Sequence, residues 1–423
     1  MHSKGRFPNA MFGVTLRPES AVVAIMLMLL FLVFVFLFLT LTAQPAEGQT
    51  FNVIYSFPGG ADGASPQAGL TMDAAGNLYG TTESGGYTGN DCQSNEYGDG
   101  CGTVFRLAKV SSRWVLTTLY TFQGGTDGMW PAARVVFGPD GSLYGTTPQG
   151  GQGTCGPPYE FIGCGTVFQL QRSPAPIPTA NPWVHNMIHQ FTGGTDGGIP
   201  GGDVAFDHAG NLYGVTADGG LESCGYECGV AYEFFPFNDG WQESVIYSFT
   251  AGTGPQSGVI FDRVGNLYGT DDSVFQLIRS GIQWTEKTIL QEGGWNGLIF
   301  DPSGNLYGSS YPDGSVFELS PSEDGWIYTQ LYQLNGGSRA ALSMDAAGNL
   351  YGTQFSGGAY EYGAVFRLTH GSGGWTYTSL HDFTGGTDGG YPLSNVTFDA
   401  DGDLYGTAEA GGSNDGVVWE ITP

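Results

Sequence analysis

The sequence predicts an all-β protein: a seven-bladed β-propeller of four-stranded blades, closed by an N-terminal strand and preceded by one hydrophobic helix. Three observations predict it. A Leu-Tyr-Gly core recurs seven times, each recurrence sits among four strand-like runs, and the two ends of the repeat region are complementary fragments of one unit. Periods of this size mark a propeller or a solenoid.

Composition sets the bounds. Of 423 residues 72 are Gly and 22 are Pro, aromatics reach 14% and charged residues only 13%. A chain this aromatic can bury a large core, which excludes wholesale disorder. Glycine is too frequent for long continuous helices.

The elements follow in chain order. Lys4, Arg6 and Arg17 in a basic segment, residues 1–20, precede an uncharged apolar run from Ala21 to Leu39. Such a run is long enough to cross a bilayer, and its positive flank keeps the N-terminus cytoplasmic. Residues 21–42 are therefore read as a signal peptide or a signal-anchor helix. Ala46-Glu47-Gly48, in the linker 43–50, offers small residues to a signal peptidase. Everything after it is expected to be extracytoplasmic, secreted or anchored, with membrane contact only through residues 21–42.

Residues 51–423 read as one propeller domain. The seven leucines are Leu78, Leu143, Leu212, Leu267, Leu306, Leu350 and Leu404, separated by 65, 69, 55, 39, 44 and 54 residues. Each unit begins with an apolar stretch ending near an Asp (AGLTMD, VAFD, GVIFD) and turns through Asp-x-x-Gly into NLYGTT. The turn suits an Asx side-chain bond plus a glycine at positive φ. A glycine-rich loop of variable length leads to a third strand, GTVFRL or SVFQL. The fourth opens with Trp and ends eight residues later, as from Trp114 to Phe122. Val, Phe, Tyr, Trp and Thr dominate these runs, as strands require. Neighbouring blades bury both sides of a strand, so Leu and Tyr of the second strand are expected to face opposite neighbours. The glycine after them suits a close approach of backbones. The last unit stops after its third strand, GVVWEI, while an orphan fourth strand, FNVIYSF, opens the domain at Phe51. The two complete one another only if the ring closes, which also protects the sheet edges.

The unit GGTDGxxP…GNLYGTT…GG…GTVFRL resembles the GloVer tandem repeat of exported bacterial proteins over nearly all of residues 51–423, with a looser kelch-like likeness. The resemblance implies an extracytoplasmic, surface-associated propeller and no particular activity.

Residues 1–48 hold three of the 13 basic and two of the 40 acidic residues, so the remainder carries 10 against 38, a net charge near −28. That surface repels phosphate backbones, so no nucleic-acid partner is expected. The six cysteines fall as Cys92/Cys101, Cys155/Cys164 and Cys224/Cys228. Local pairing is expected to close three short loops without touching the core, as an oxidising compartment allows. Zinc fails on their spacing.

Insertions collect in the loops between the second and third strands of units one to three. The crossovers GGADGASP, GGTDGMWP, GGTDGGIP and GGTDGGYP, around Asp62, Asp127, Asp196 and Asp388, share that face. A binding face is thus expected on the arc of blades 7, 1, 2 and 3, for a glycan, surface polymer or protein. The four acids either cap their own turns or hold a ligand; Trp130 and Tyr391 either pack or stack on one. No cofactor is expected. Asp399, Asp401 and Asp403 form the one calcium candidate, without the glycine and glutamate positions of an EF-hand loop. His185 and His189 alternate with apolar residues of an outer strand and read as rim residues. No Ser–His–Asp or metal-ligand spacing stands out, and the loop-paired cysteines leave no copper radical site. The reading is a non-enzymatic binding protein; the alternative is a carbohydrate-active hydrolase or lyase using carboxylates on the propeller face.

Overall fold

A computed structural model describes residues 49–89, 92, 99–155, 163–173, 182–221, 228–238, 240–250, 254–291, 296–413 and 415–422. Gln49–Pro423 form one compact unit. The readings of residues 1–20, 21–42 and nearly all of 43–50 lie outside the described residues. Among those described, no helix is long and apolar enough to cross a membrane.

The chain opens with β1 (Thr50–Ser56) and then builds six complete blades, each from the inner strand outward. Blade 1 has Thr71–Met72, Leu78–Thr82, Thr103–Val110 and Arg113–Thr121 (β2–β5); blade 2 has Val136–Phe137, Leu143–Thr147, Thr166–Arg172 and Trp183–Gln190 (β6–β9). Blade 3 has Gly198–Phe206, Leu212–Asp218, Val230–Phe237 and Gly240–Ser248 (β10–β13); blade 4 has Ile260–Phe261, Leu267–Thr270, Val274–Ser280 and Gln283–Leu290 (β14–β17). Blade 5 has Ile299–Phe300, Leu306–Ser309, Ser315–Ser322 and Gly325–Gln333 (β18–β21); blade 6 has Ser343–Met344, Leu350–Gln354, Ala364–Gly371 and Gly374–Asp382 (β22–β25). Blade 7 has Thr397–Phe398, Leu404–Ala408 and Val417–Thr422 (β26–β28), and β1 is its outer strand. β1 runs antiparallel to β28, with Phe51 opposite Ile421 and Ser56 opposite Val417.

Packing explains the repeat. The second strand is buried along its whole length in every blade. Seven apolar clusters fill the seven junctions between blades, from 7/1 round to 6/7. Leu78 lies in the 7/1 cluster and Tyr79 in the 1/2 cluster, so successive residues do serve opposite neighbours. Each buried leucine contributes roughly 1.5–3 kcal/mol. Side-chain bonds add to the seams: Ser343 Oγ donates to Val396 O at 2.6 Å, and Thr397 Oγ1 to Leu70 O at 2.6 Å, which ties blade 7 to blade 1.

The glycine of Leu-Tyr-Gly differs from expectation. It makes room for a ring of the partner strand, not for a neighbouring backbone. A Cβ on Gly80 would lie 2.6 Å from Phe105 Cζ, and one on Gly406 would lie 2.2 Å from Trp419 Cζ2. Gly80 and Phe105 are register partners.

The Asp-x-x-Gly turn is an Asx turn with a second purpose. Asp73 Oδ1 accepts from Ala75 N and Asn77 N, while Oδ2 accepts from Asn77 Nδ2 at 2.8 Å and Tyr79 Oη at 3.0 Å. Burial pushes the Asp73 carboxyl up, but the bonds from Asn77, Tyr79 and Ala75 outweigh it and hold the carboxyl below the ordinary value. The tyrosine in turn meets the tryptophan of the next blade edge-on, as Tyr79 meets Trp183 at 6.3 Å and Tyr144 meets Trp241 at 5.8 Å. Asp, Tyr and Trp thus form one chain across the junction.

Blade 7 breaks this pattern. Asp403 stands where blades 1, 3, 4, 5 and 6 have Asn, so Asp399 loses a donor and gains a like charge. Burial, then Asp399, Glu420 and Asp401, push the Asp403 carboxyl above its ordinary 3.8. The native state therefore binds more protons than the unfolded chain just above that value, and stability falls as pH rises through the window. Asp403→Asn is expected to raise the thermal midpoint at pH 7, with the gain shrinking as pH is lowered toward 3.8. An unchanged midpoint at pH 7 would contradict this.

Candidate functional site

The crossovers and the loops between second and third strands meet on one face, as the sequence implied. Short bridges join them: Ala64 with Ser84, Met129 with Gln149, Gly198 with Asp218 and Gly390 with Ala410. The residue before each crossover proline has positive φ (Ser65 54°, Trp130 60°, Ile199 55°, Tyr391 56°). That turn aims its N–H backward at the previous blade: Ser65 N at Asp415 O, Trp130 N at Cys101 O, Ile199 N at Cys164 O, Tyr391 N at Tyr362 O. Each crossover is therefore bonded to both blades it joins. These four lie at the 7/1, 1/2, 2/3 and 6/7 junctions.

The four crossover acids are occupied by these loops. Asp127 accepts from Tyr120 Oη at 2.6 Å and Gln123 N at 2.8 Å. Asp62 accepts from Tyr55 Oη at 2.8 Å. In the other two, histidine replaces that tyrosine: His189 Nε2 is 3.4 Å from Asp196 Oδ2, and His381 Nε2 is 3.1 Å from Asp388 Oδ2. Asp196 and Asp388 also accept from the backbone N–H and hydroxyl of Thr192 and Thr384. The partner is always seven residues upstream, a spacing readable as [Tyr/His]-x-Phe-x-Gly-Gly-x-Asp.

Trp130 is half-buried, its Nε1 donating to Gly100 O at 2.9 Å. Tyr391 is half-buried between Phe355 (5.3 Å) and Tyr362 (5.5 Å). Asp399 caps its own turn through Asp401 N, Asp403 N and Tyr405 Oη. Disulfides join Cys92 to Cys101 and Cys155 to Cys164. Cys228 is also disulfide-bonded, while Cys224 lies outside the described residues. The expectation that the bridges avoid the core needs correcting. Cys92, Cys101, Cys155 and Cys164 are at most 1% exposed and belong to the 1/2 and 2/3 clusters, because the loops fold back over the junctions.

A cavity of about 580 Å³ lies where the inner strands of all seven blades converge. Its charged lining residues are Arg134, Asp203 and Arg339. Arg134 Nε and Asp203 Oδ2 form an ion pair at 2.9 Å. Arg339 lies between two rings, 4.2 Å from the centroid of Tyr311 and 4.4 Å from that of Phe355. Phe355 continues to Tyr391 and Tyr362, so an aromatic and cationic track leads from the cavity to the 6/7 loops. The sequence reading missed Arg339, Tyr311, Phe355 and Tyr362. The available signal was an arginine in a crossover of a chain with few basic residues. Exposed tyrosines stand on loops of this face, Tyr87 at 44% on blade 1, and Tyr360 at 57% and Tyr362 at 38% on blade 6.

A second register runs round the outer rim. At four junctions the side chain six residues after an outer-strand tryptophan meets the one two residues after the next strand's tryptophan, or after Gln49 where β1 takes that place. Tyr120 stacks on His185 at 4.3 Å, Tyr332 on Tyr377 at 5.1 Å and His381 on Phe51 at 3.5 Å. At the 2/3 junction the pair is His189 and Glu243, 3.4 Å apart. Among the described residues, His189, Asp196 and Glu243 are the one group of three whose ligand atoms lie within 4.8 Å of one another. Burial raises the Glu243 carboxyl, opposed by His189 and reinforced by Asp196.

The model of a family described as the Gloeobacter/Verrucomicrobia repeat matches residues 40–273 and 288–423. No protein of curated function matches. Among solved structures, a candidate 6-phosphogluconolactonase from Bacteroides uniformis is similar at 15% identity and a TM-score of 0.48, over 75% of this chain and 84% of that one. A second, from Bacteroides fragilis, is similar at 13% and 0.47, over 83% and 98%. A gluconolactonase from Xanthomonas campestris gives 14% and 0.42, over 87% and 98%.

The rim histidines carry a pH consequence. Burial depresses the imidazoles of His185 and His381 below the ordinary 6.5, although Asp127 and Asp388 oppose it. The native state then binds fewer protons than the unfolded chain, so stability is full above 6.5 and falls as pH drops toward the folded-state values. Asp196 and Asp388 are half-buried, yet their histidine and threonine bonds hold them below the usual range, so their loss follows at still lower pH. The thermal midpoint is expected to decline from about pH 6.5 to 5. The double replacement His185→Phe/His381→Phe, which keeps the stacking, is expected to flatten that decline; an unaltered profile would refute it.

Proposed function

Because the chain belongs to the Gloeobacter/Verrucomicrobia repeat family, we propose that it is an exported, non-enzymatic β-propeller that binds a glycan or surface polymer through its loop-rich face. A protein ligand on the same arc of blades 7, 1, 2 and 3 is the other member of this class. Residues 21–42 act as the export signal or anchor and are the sole membrane contact. Disulfides Cys92–Cys101 and Cys155–Cys164 fit an oxidising, extracytoplasmic setting. A net charge near −28 sets nucleic acid aside.

The observation that carries the reading is the placement of exposed tyrosines on this face: Tyr87 on the blade 1 loop stapled by Cys92–Cys101, and Tyr360 and Tyr362 on the blade 6 loop, bonded to the crossover into blade 7 through Tyr391 N and Tyr362 O. Rigid loops presenting flat rings are what sugar faces stack on, since little ordering is left to oppose binding. In this reading Asp62, Asp127, Asp196 and Asp388 act as braces, while Tyr391, Tyr362 and Trp130 line the contact. Calcium at Asp399, Asp401 and Asp403 finds no support in a carboxylate already spent on its own turn. Nor does a hydrolase gain a carboxylate pair from the cavity, whose one described acid, Asp203, is held by Arg134.

A glycan array and a surface-polymer pull-down on the full-length chain test this. Binding is expected to fall about tenfold, roughly 1.4 kcal/mol, in Tyr362→Ala and in Arg339→Ala, with Val264→Ala, at an 82% exposed site on another turn, unchanged. No bound ligand together with cleavage of a polysaccharide would replace this reading with the hydrolase.

A further inference from the structure

The outer rim repeats one geometry with different side chains, and one repeat has a full set of metal donors. His189 is the penultimate residue of the outer strand of blade 2, Asp196 sits in the crossover that follows, and Glu243 lies on the outer strand of blade 3. His189 Nε2 is 3.4 Å from Asp196 Oδ2 and 3.4 Å from Glu243 Oε2. Those separations are long for charged hydrogen bonds. They match the edge of a tetrahedron of nitrogen and oxygen donors about 2.0–2.1 Å from a zinc ion, which is about 3.4 Å.

Two further observations point to a ligand. Glu243 Oε1 is fully buried and has no hydrogen-bond partner among the described residues. A buried carboxylate with one oxygen unmatched is costly to keep charged, and a cation at its other oxygen, Oε2, offsets part of that cost. The molecule also contains its own controls. At the 6/7 junction His381 and Asp388 occupy the same positions, but Phe51 stands where Glu243 does, and the ring stacks on His381 at 3.5 Å. At the 1/2 junction Tyr120 replaces the histidine and His185 the glutamate. Among the described residues, only the 2/3 junction combines one imidazole with two carboxylates.

We propose that His189, Asp196 and Glu243 form a binding site for a divalent transition-metal ion, zinc by donor set and spacing, with solvent in the fourth position. Thr192 N, which donates to Asp196 Oδ2 at 2.8 Å, orients that carboxylate from behind. All three side chains keep between 17% and 21% of their surface exposed, which leaves a path for the ion and a water. The ion bridges two blades and a crossover, so its binding free energy adds to the stability of the 2/3 junction.

Calorimetric titration of the tag-free, chelator-stripped full-length chain with Zn²⁺, and absorption spectra with Co²⁺, test the assignment. One tight equivalent, a tetrahedral Co²⁺ spectrum and a higher thermal midpoint with Zn²⁺ are expected. Glu243→Gln, which keeps size and shape, is expected to weaken binding at least about tenfold and abolish the zinc-dependent rise in midpoint. His381→Gln, at the two-donor junction, is expected to leave both unchanged. Absence of a tight equivalent, or a Glu243→Gln protein that binds as wild type, overturns the site. So does an equal loss in His381→Gln.

Discussion

No blade of this protein can bury its own apolar residues. A four-stranded sheet has two apolar faces here, and each needs a neighbour. The Leu-Tyr-Gly strand states the constraint in three residues: Leu78 fills one junction, Tyr79 the other, and Gly80 clears space for Phe105 between them. Six blades in a row would leave two faces uncovered. Pairing of β1 with β28 completes the seventh blade, and Thr397 reaches from it to Leu70 of the first. Chain ends that lie at opposite extremes of the repeat region become neighbours in one sheet.

Closure has a further effect at the rim. Because every junction has the same geometry, positions in successive outer strands meet in a fixed register. What changes is the chemistry placed there: a tyrosine–histidine stack, a tyrosine pair, a histidine on phenylalanine, a histidine with glutamate. The crossover acids join this register, since each binds the side chain seven residues upstream. The repeat thus serves as a scaffold on which single substitutions create distinct local sites without disturbing the fold.

Much of this was legible beforehand, for definite reasons. Blade number, strand order and the face shared by crossovers and long loops follow from spacing and from the unmatched fragments at the two ends, which are properties of sequence alone. The junction acids were legible only as a choice between capping and binding. The sequence shows Asp127 beside glycines, but not that Tyr120 reaches it. Arg339, Tyr311 and Phe355 escaped because they come from three separate loops, one on blade 5 and two on blade 6, and meet only in the fold. Glu243 escaped for the same reason, lying 54 residues beyond His189. The cysteine pairs were assigned to the right loops, but their depth was not visible, since spacing does not say which way a loop folds.

The account rests on the shared seventh blade, and a cross-link tests it most directly. Thr50 and Thr422 are exposed register partners at the end of the β1–β28 ladder. In a Thr50→Cys/Thr422→Cys chain refolded under oxidising conditions, the new thiols are expected to join, and the domain to melt in one transition at a higher temperature than the wild type. Thiols that stay free in a folded protein, or a cross-link that forms and splits the melt into separate transitions, would contradict a closed ring.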